Sequence, residues 1–107
     1  MNRRQDNRAT VYLPALVGGA AQAVEVQMVD VSFRGLAVRM INAPPLHQLV
    51  TIGLQLPNRF LKIHASVARA VRRADGVFDV GLRLFAVSGH DRKDWEAFVA
   101  FQLRTAA

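Results

Sequence analysis

Leu61-Lys62-Ile63-His64-Ala65-Ser66-Val67, running on through Arg69 to Arg72-Arg73, and then Asp75-Gly76-Val77-Phe78-Asp79-Val80-Gly81-Leu82-Arg83-Leu84, is the stretch that decides the fold. Leu61, Ile63, Ala65 and Val67 alternate with Lys62, His64 and Ser66. A period of two puts the apolar set on one face of an extended strand and the polar set on the other. Phe78, Val80, Leu82 and Leu84 repeat the pattern, and Asp75-Gly76 between the runs is a strong hairpin signal. A half-buried antiparallel pair follows from this stretch alone.

Working back toward the N-terminus, the same period recurs. Val11, Leu13, Ala15 and Val17 share one face of a first strand. Val24, Val26 and Met28 share one face of a second, with Glu25 and Gln27 opposite, and Gly18-Gly19 is the turn between them. Leu36, Val38 and Met40 mark a short third strand, ended by Asn42 and Pro44-Pro45. Val50, Ile52, Leu54 and Leu56 mark a fourth, closed by the Pro57-Asn58 turn. After Phe85 the period changes. Ser88 followed by Asp91 is a capping pattern, Asp91 and Asp94 suit the positive end of a helix, and Trp95, Phe98, Val99 and Leu103 form one apolar stripe. The pattern predicts an all-β domain over residues 1–107. An Arg-rich tail at 1–8 leads into a six-stranded antiparallel barrel or tightly curled sheet at 9–86, with a C-terminal helix at 88–104 over its open side.

At 107 residues the chain can remove roughly two thirds of its unfolded surface from water, enough for a real core. It has no cysteine, which excludes disulfides and thiolate metal sites. Neither a secretory h-region nor a run of about 18 apolar residues is present, so the expectation is a cytoplasmic protein without a membrane span. His47, His64 and His90 are scattered, without the recurrent spacing of metal ligands, so no metal is expected. Gly18-Gly19 lacks the continuation of a phosphate loop, and Ser32 has no nearby base in sequence to activate it. No catalytic residue and no enzyme activity are expected, and no cofactor. The net charge is +6, and twelve of the 14 basic residues are Arg. Arg presents a planar fork suited to phosphate, carboxylate and guanine edges, so an anionic partner fits.

Two polar segments carry that expectation further. Asp30 and Ser32 end the second strand and leave the same side of an extended backbone. Gly35 follows, through a positive φ or a close backbone approach that a side chain would block. These are also ordinary turn residues, and a plain hairpin closure is the simpler account. In the functional account Asp30 accepts hydrogen bonds from a base's N1–H and exocyclic amine, while Ser32 bonds a neighbouring edge. Arg3, Arg4 and Arg8 lie ahead of the first strand in a segment that orders only with a partner. Arg can take guanine O6 and N7 in two parallel bonds, or stack on the purine face.

An R-x-x-x-R (Arg4, Arg8) before the first strand and a D-x-S-x-x-G (Asp30, Ser32, Gly35) after the second resemble the joint signature of the PilZ domain family. The Gly81-Leu82-Arg83-Leu84-Phe85 stretch and the terminal helix match as well, so the resemblance covers essentially the whole chain. It implies a PilZ-like six-stranded antiparallel β-barrel that binds the bacterial second messenger cyclic di-GMP. Arg4 and Arg8 would hold guanine and phosphate groups, and Asp30, Ser32 and Gly35 would line the second guanine site. A basic residue just before the first motif goes, in that family, with an intercalated ligand pair, so Arg3 implies two ligand molecules per domain. The domain would order its arginine segment on the ligand and relay the signal to a downstream protein.

Two other readings remain open at this point. A basic barrel could bind single-stranded nucleic acid, but that needs aromatic platforms among the charges, and only Tyr12 and Phe33 offer themselves. No DNA or RNA is therefore expected. A ligand-independent protein-interaction adaptor is the other, since some family members lack the motifs. Arg39, Arg69, Arg72 and Arg73 either widen the electropositive surface or solubilise it, and solubilising charge is the simpler account.

Overall fold

The structure is a computed structural model that describes residues 8–18, 23–57, 59–85 and 89–106. Six strands and one helix follow each other in the chain: β1 (Ala9–Gly18), β2 (Ala23–Ser32), β3 (Gly35–Met40), β4 (Leu49–Gln55), β5 (Phe60–Arg72), β6 (Phe78–Phe85) and α1 (Gly89–Ala106). The strands close into a barrel in the order β1-β2-β3-β6-β5-β4, every neighbouring pair antiparallel. The barrel with its terminal helix is the architecture the alternation predicts. Gly19, Asn58 and Ser88, assigned above to turns and a helix cap, lie outside the described residues.

The inward-facing positions are those the period of two selects. Val26, Met28, Leu36, Val38, Ile52, Leu54, Leu61, Ile63, Ala65, Val67, Val80 and Leu82 are all buried. Five expected core positions depart from this: Leu56, Phe78 and Leu84, near or beyond the ends of their strands, are only partly buried, and Leu13 and Val24 depart as well. Leu13 is only half-buried, because the β1–β2 register shifts between Thr10 and Leu13 and turns the strand at that point. Val24 is 49% exposed, because β3 pairs no further along β2 than Gln27 and the end of β2 projects past the barrel.

The seam that closes the barrel is short. β1 meets β4 only at Leu16↔Gly53, Val17↔Ile52 and Gly18↔Thr51. The rest of β1 has no β4 partner, and α1 packs there, against β1, β5 and β2. Trp95 and Val99 of α1 are fully buried, with Phe98 and Leu103 partly so. The first turn of α1 is tied down by Arg59, which reaches Asp91 at 3.1 Å and Asp94 at 2.7 Å.

The β5–β6 hairpin extends beyond the barrel, and Ala68–Arg72 is exposed on both faces. Its turn uses Gly76 at φ 88°, where a side chain would be strained. The Asp75 carboxylate accepts from Val77 N–H at 3.0 Å and from Arg73 Nε at 3.2 Å. These bonds hold the Asp75 carboxyl below the usual carboxylate range, with the Arg73 hydrogen bond the larger cause.

Candidate functional site

β2 and β3 are joined by a two-residue loop, Phe33-Arg34, between the paired residues Ser32 and Gly35. Such loops usually need a positive φ. Among the described residues only His47 and Gly76 have one, so this turn is held in another way. Ser32 is buried, and its Oγ accepts from Arg34 N–H at 3.3 Å while its hydroxyl points to the Gly35 carbonyl at 3.5 Å. From the other side Leu84 N–H donates to the Arg34 carbonyl at 2.8 Å, and the Trp95 indole N–H donates to the Phe33 carbonyl at 3.3 Å. Of the two reasons sequence offers for Gly35, the close approach applies. A Cβ there would fall on the Leu82 carbonyl oxygen of β6, far inside contact distance.

Asp30 sits just after a register shift in the β2–β3 ladder, opposite Thr10 and Ala37. Arg8, one residue ahead of β1, reaches it with Nε at 3.1 Å and Nη2 at 2.8 Å, both bonds falling on Oδ1. The fold therefore joins the end of the arginine segment to the D-x-S-x-x-G turn, two pieces 22 residues apart in the chain. Arg3 and Arg4 lie outside the described residues.

Arg8, Ser32 and Gly35 line one surface pocket of about 170 Å³, with Arg34, Arg69 and Arg83 completing its charged wall and Leu36, Ala68, Gly81 and Leu82 its floor. Among the described residues no acidic side chain is part of that lining. Arg69, for which the sequence offers solubilisation or a widened electropositive surface, lines this pocket. It stands opposite Gly81 in the β5–β6 ladder, and a Cβ at Gly81 would come within 3.0 Å of its Cγ and Nε, so the glycine lets the side chain lie flat across β6 into the pocket. The other arginines of that group go elsewhere. Arg72 stacks over Phe78 at 6.0 Å, Arg73 pairs with Asp75, and Arg39 pairs with Asp79 at 3.0 Å. The convergence of Arg69, Arg83 and Arg34 is not legible in the sequence because it depends on which strands are neighbours.

A larger depression lies elsewhere, about 640 Å³ and mainly apolar, walled by Tyr12, Pro14, Val24, Met40 and Ile41 among others. It contains none of the motif residues. Among the described residues no three His, Asp or Glu side chains group to hold a metal ion, and no helix is long and apolar enough to cross a membrane.

The family model described as "PilZ domain" matches residues 2–101. None of the curated proteins resembles the chain closely enough in sequence to count as a match. Among solved structures, the Bacillus subtilis inhibitor of motility (MotI/DgrA) is similar at a TM-score of 0.82 and 17% identity, over 98% of this chain and 52% of that one. The PilZ domain of YcgR from Escherichia coli, solved with c-di-GMP, is similar at 0.71 and 16%, over 98% and 95%. MrkH from K. pneumonia, solved as a c-di-GMP complex, is similar at 0.79 and 13%, over 99% and 55%. The chain thus spans about half the length of two of these proteins. At such identities the likeness is one of fold.

Proposed function

Since this chain belongs to the PilZ domain family, we propose that it is a receptor for cyclic di-GMP and not an enzyme. The observation that carries the reading is the Arg8–Asp30 bond beside a pocket walled by arginines and lined by Ser32 and Gly35. The chemistry suits the ligand. A carboxylate such as Asp30 accepts from the guanine N1–H and exocyclic amine, an arginine such as Arg8 donates to O6 and N7 or to phosphate, and Arg34, Arg69 and Arg83 supply positive charge for the phosphodiesters. A pocket of about 170 Å³ is smaller than the ~300 Å³ at which sites for drug-sized ligands begin. The bound dinucleotide would therefore need a second wall. Arg3 and Arg4, five and four residues ahead of Arg8, would provide it, closing over the ligand and presenting a changed surface to a downstream protein. Arg3 next to the R-x-x-x-R supports two ligand molecules per domain.

The adaptor reading has one observation in its favour. Ser32 and Gly35 are both accounted for by turn geometry, whatever the ligand. Calorimetric titration of cyclic di-GMP into the intact protein and an Arg4→Ala/Arg8→Ala variant separates the two. The receptor predicts saturable binding that the variant loses, at about 1–3 kcal/mol for each bidentate arginine. Two ligands per protein are expected, falling toward one in Arg3→Leu. Absence of heat and of any thermal shift with the intact protein would return the adaptor.

A further inference from the structure

Beside the nucleotide pocket lies a second depression of about 330 Å³. Trp95, fully buried, and half-buried Leu84 form its floor, and Phe33 and Phe85, each 48% exposed, stand on its walls. Among the described residues, Arg34, Arg83 and Arg92 line it with one acid, Glu96, which sits 3.7 Å from Arg92. The bonds from Leu84 N–H to the Arg34 carbonyl and from the Trp95 indole to the Phe33 carbonyl tie strand, turn and helix together beneath it. It is a fixed, concave, partly aromatic site with a positive rim. Two of its arginines, Arg34 and Arg83, also line the nucleotide pocket.

We propose that this depression is a docking surface for an acidic segment of a partner protein, whose aromatic or aliphatic anchor side chain enters between Phe33 and Phe85. The rim charge selects acidic flanks, and the volume suits one anchor residue, the arrangement that concentrates binding energy at an interface. A second copy of this chain fits less well, because its own net charge of +6 would meet a positive rim. Single-stranded nucleic acid fits less well too, since it needs successive aromatic platforms along a continuous basic track, and Glu96 interrupts this one. Sharing Arg34 and Arg83 makes occupancy of one pocket felt in the other, a coupling that rests on the receptor reading above.

The test is fluorescence anisotropy of the full chain with a labelled peptide, acetyl-Glu-Asp-Phe-Glu-Asp-amide, and its Gln/Asn analogue. Expected are saturable binding of the acidic peptide, about tenfold weaker binding of the analogue, and a loss of about fivefold or more in Phe85→Ser and in Arg92→Glu. Both substitutions are at exposed positions, and circular dichroism checks their fold. Absence of binding, equal binding of the analogue, tighter binding of a decathymidylate, or self-association abolished by Phe85→Ser would each overturn the proposal. Cyclic di-GMP is then expected to shift peptide affinity about threefold or more. If calorimetry shows nucleotide binding and the peptide affinity does not move, the coupling is wrong. If the nucleotide does not bind, the receptor reading fails while the peptide result stands by itself.

Discussion

The D-x-S-x-x-G residues divide the work of the turn differently from one another, and substitution separates their roles. Gly35 has no room for a side chain, since the Leu82 carbonyl of β6 occupies the position of a Cβ. Gly35→Ala must push two paired strands apart, and a loss of about 1–3 kcal/mol is expected in denaturant titration. Ser32→Ala removes the acceptor of Arg34 N–H in a buried position and is expected to cost about 1 kcal/mol. Arg8→Ala breaks only a partly exposed ion pair, whose loss is expected to change stability by about 1 kcal/mol or less. Arg8→Ala that lowers nucleotide affinity at unchanged stability would assign Arg8 to the ligand. An equal loss of stability and affinity would assign it to the fold.

At the scale of elements, the hairpin tip and the helix each carry a test. Arg73 holds the Asp75 carboxyl below its usual range, and the group is exposed, so the effect is small. Because the folded value is the lower one, the contribution to stability is complete above the unfolded value of about 3.9 and is lost as pH falls through the folded value. Wild type is therefore expected to melt slightly above Asp75→Asn at pH 7, with the gap closing below about pH 4. A gap that persists at pH 2 would show that the turn bond to Val77, not ionisation, is what the aspartate provides. Trp95 is a fully buried aromatic of the core, so Trp95→Ala is expected to cost about 3–5 kcal/mol. Trp95→Phe keeps most of the packing but removes the donor to the Phe33 carbonyl, and loosening should appear as faster amide exchange at Arg34 and Leu84 rather than as global unfolding.

Over the whole molecule, what could be read from sequence and what could not follows from the range of each interaction. The strands were legible because a half-buried strand imprints its period locally, and Leu61 to Val67 need no distant information. Leu13 and Val24 were misjudged because a bulge and the length of a neighbouring strand belong to the ladder, not to the strand. Arg8 and Asp30 were legible as motif residues, but their direct bond, and the arrival of Arg34, Arg69 and Arg83 around the same pocket, depend on barrel closure in the order β2-β3-β6-β5. The same closure distributes the charge. Asp75 and Asp79 pair with Arg73 and Arg39, Asp91 and Asp94 with Arg59, Glu96 with Arg92 and Asp30 with Arg8, while Arg8, Arg34, Arg69 and Arg83 are gathered around one pocket. The excess of positive charge is thus focused where the proposed dianionic ligand would sit, and its attraction should be screened over a Debye length of about 8 Å at 0.15 M salt. Cyclic di-GMP affinity is expected to fall by about tenfold as ionic strength rises from about 0.05 to 0.5 M, and to fall less steeply in Arg69→Ala, which should bind several-fold more weakly at low salt. Arg72→Ala, which removes a stack on Phe78 outside the pocket, is the matched control and should follow wild type at every salt concentration. If Arg69→Ala and Arg72→Ala behave alike, the charge acts through the field of the whole protein, and the wall of the pocket gives the ligand no specific contact at Arg69.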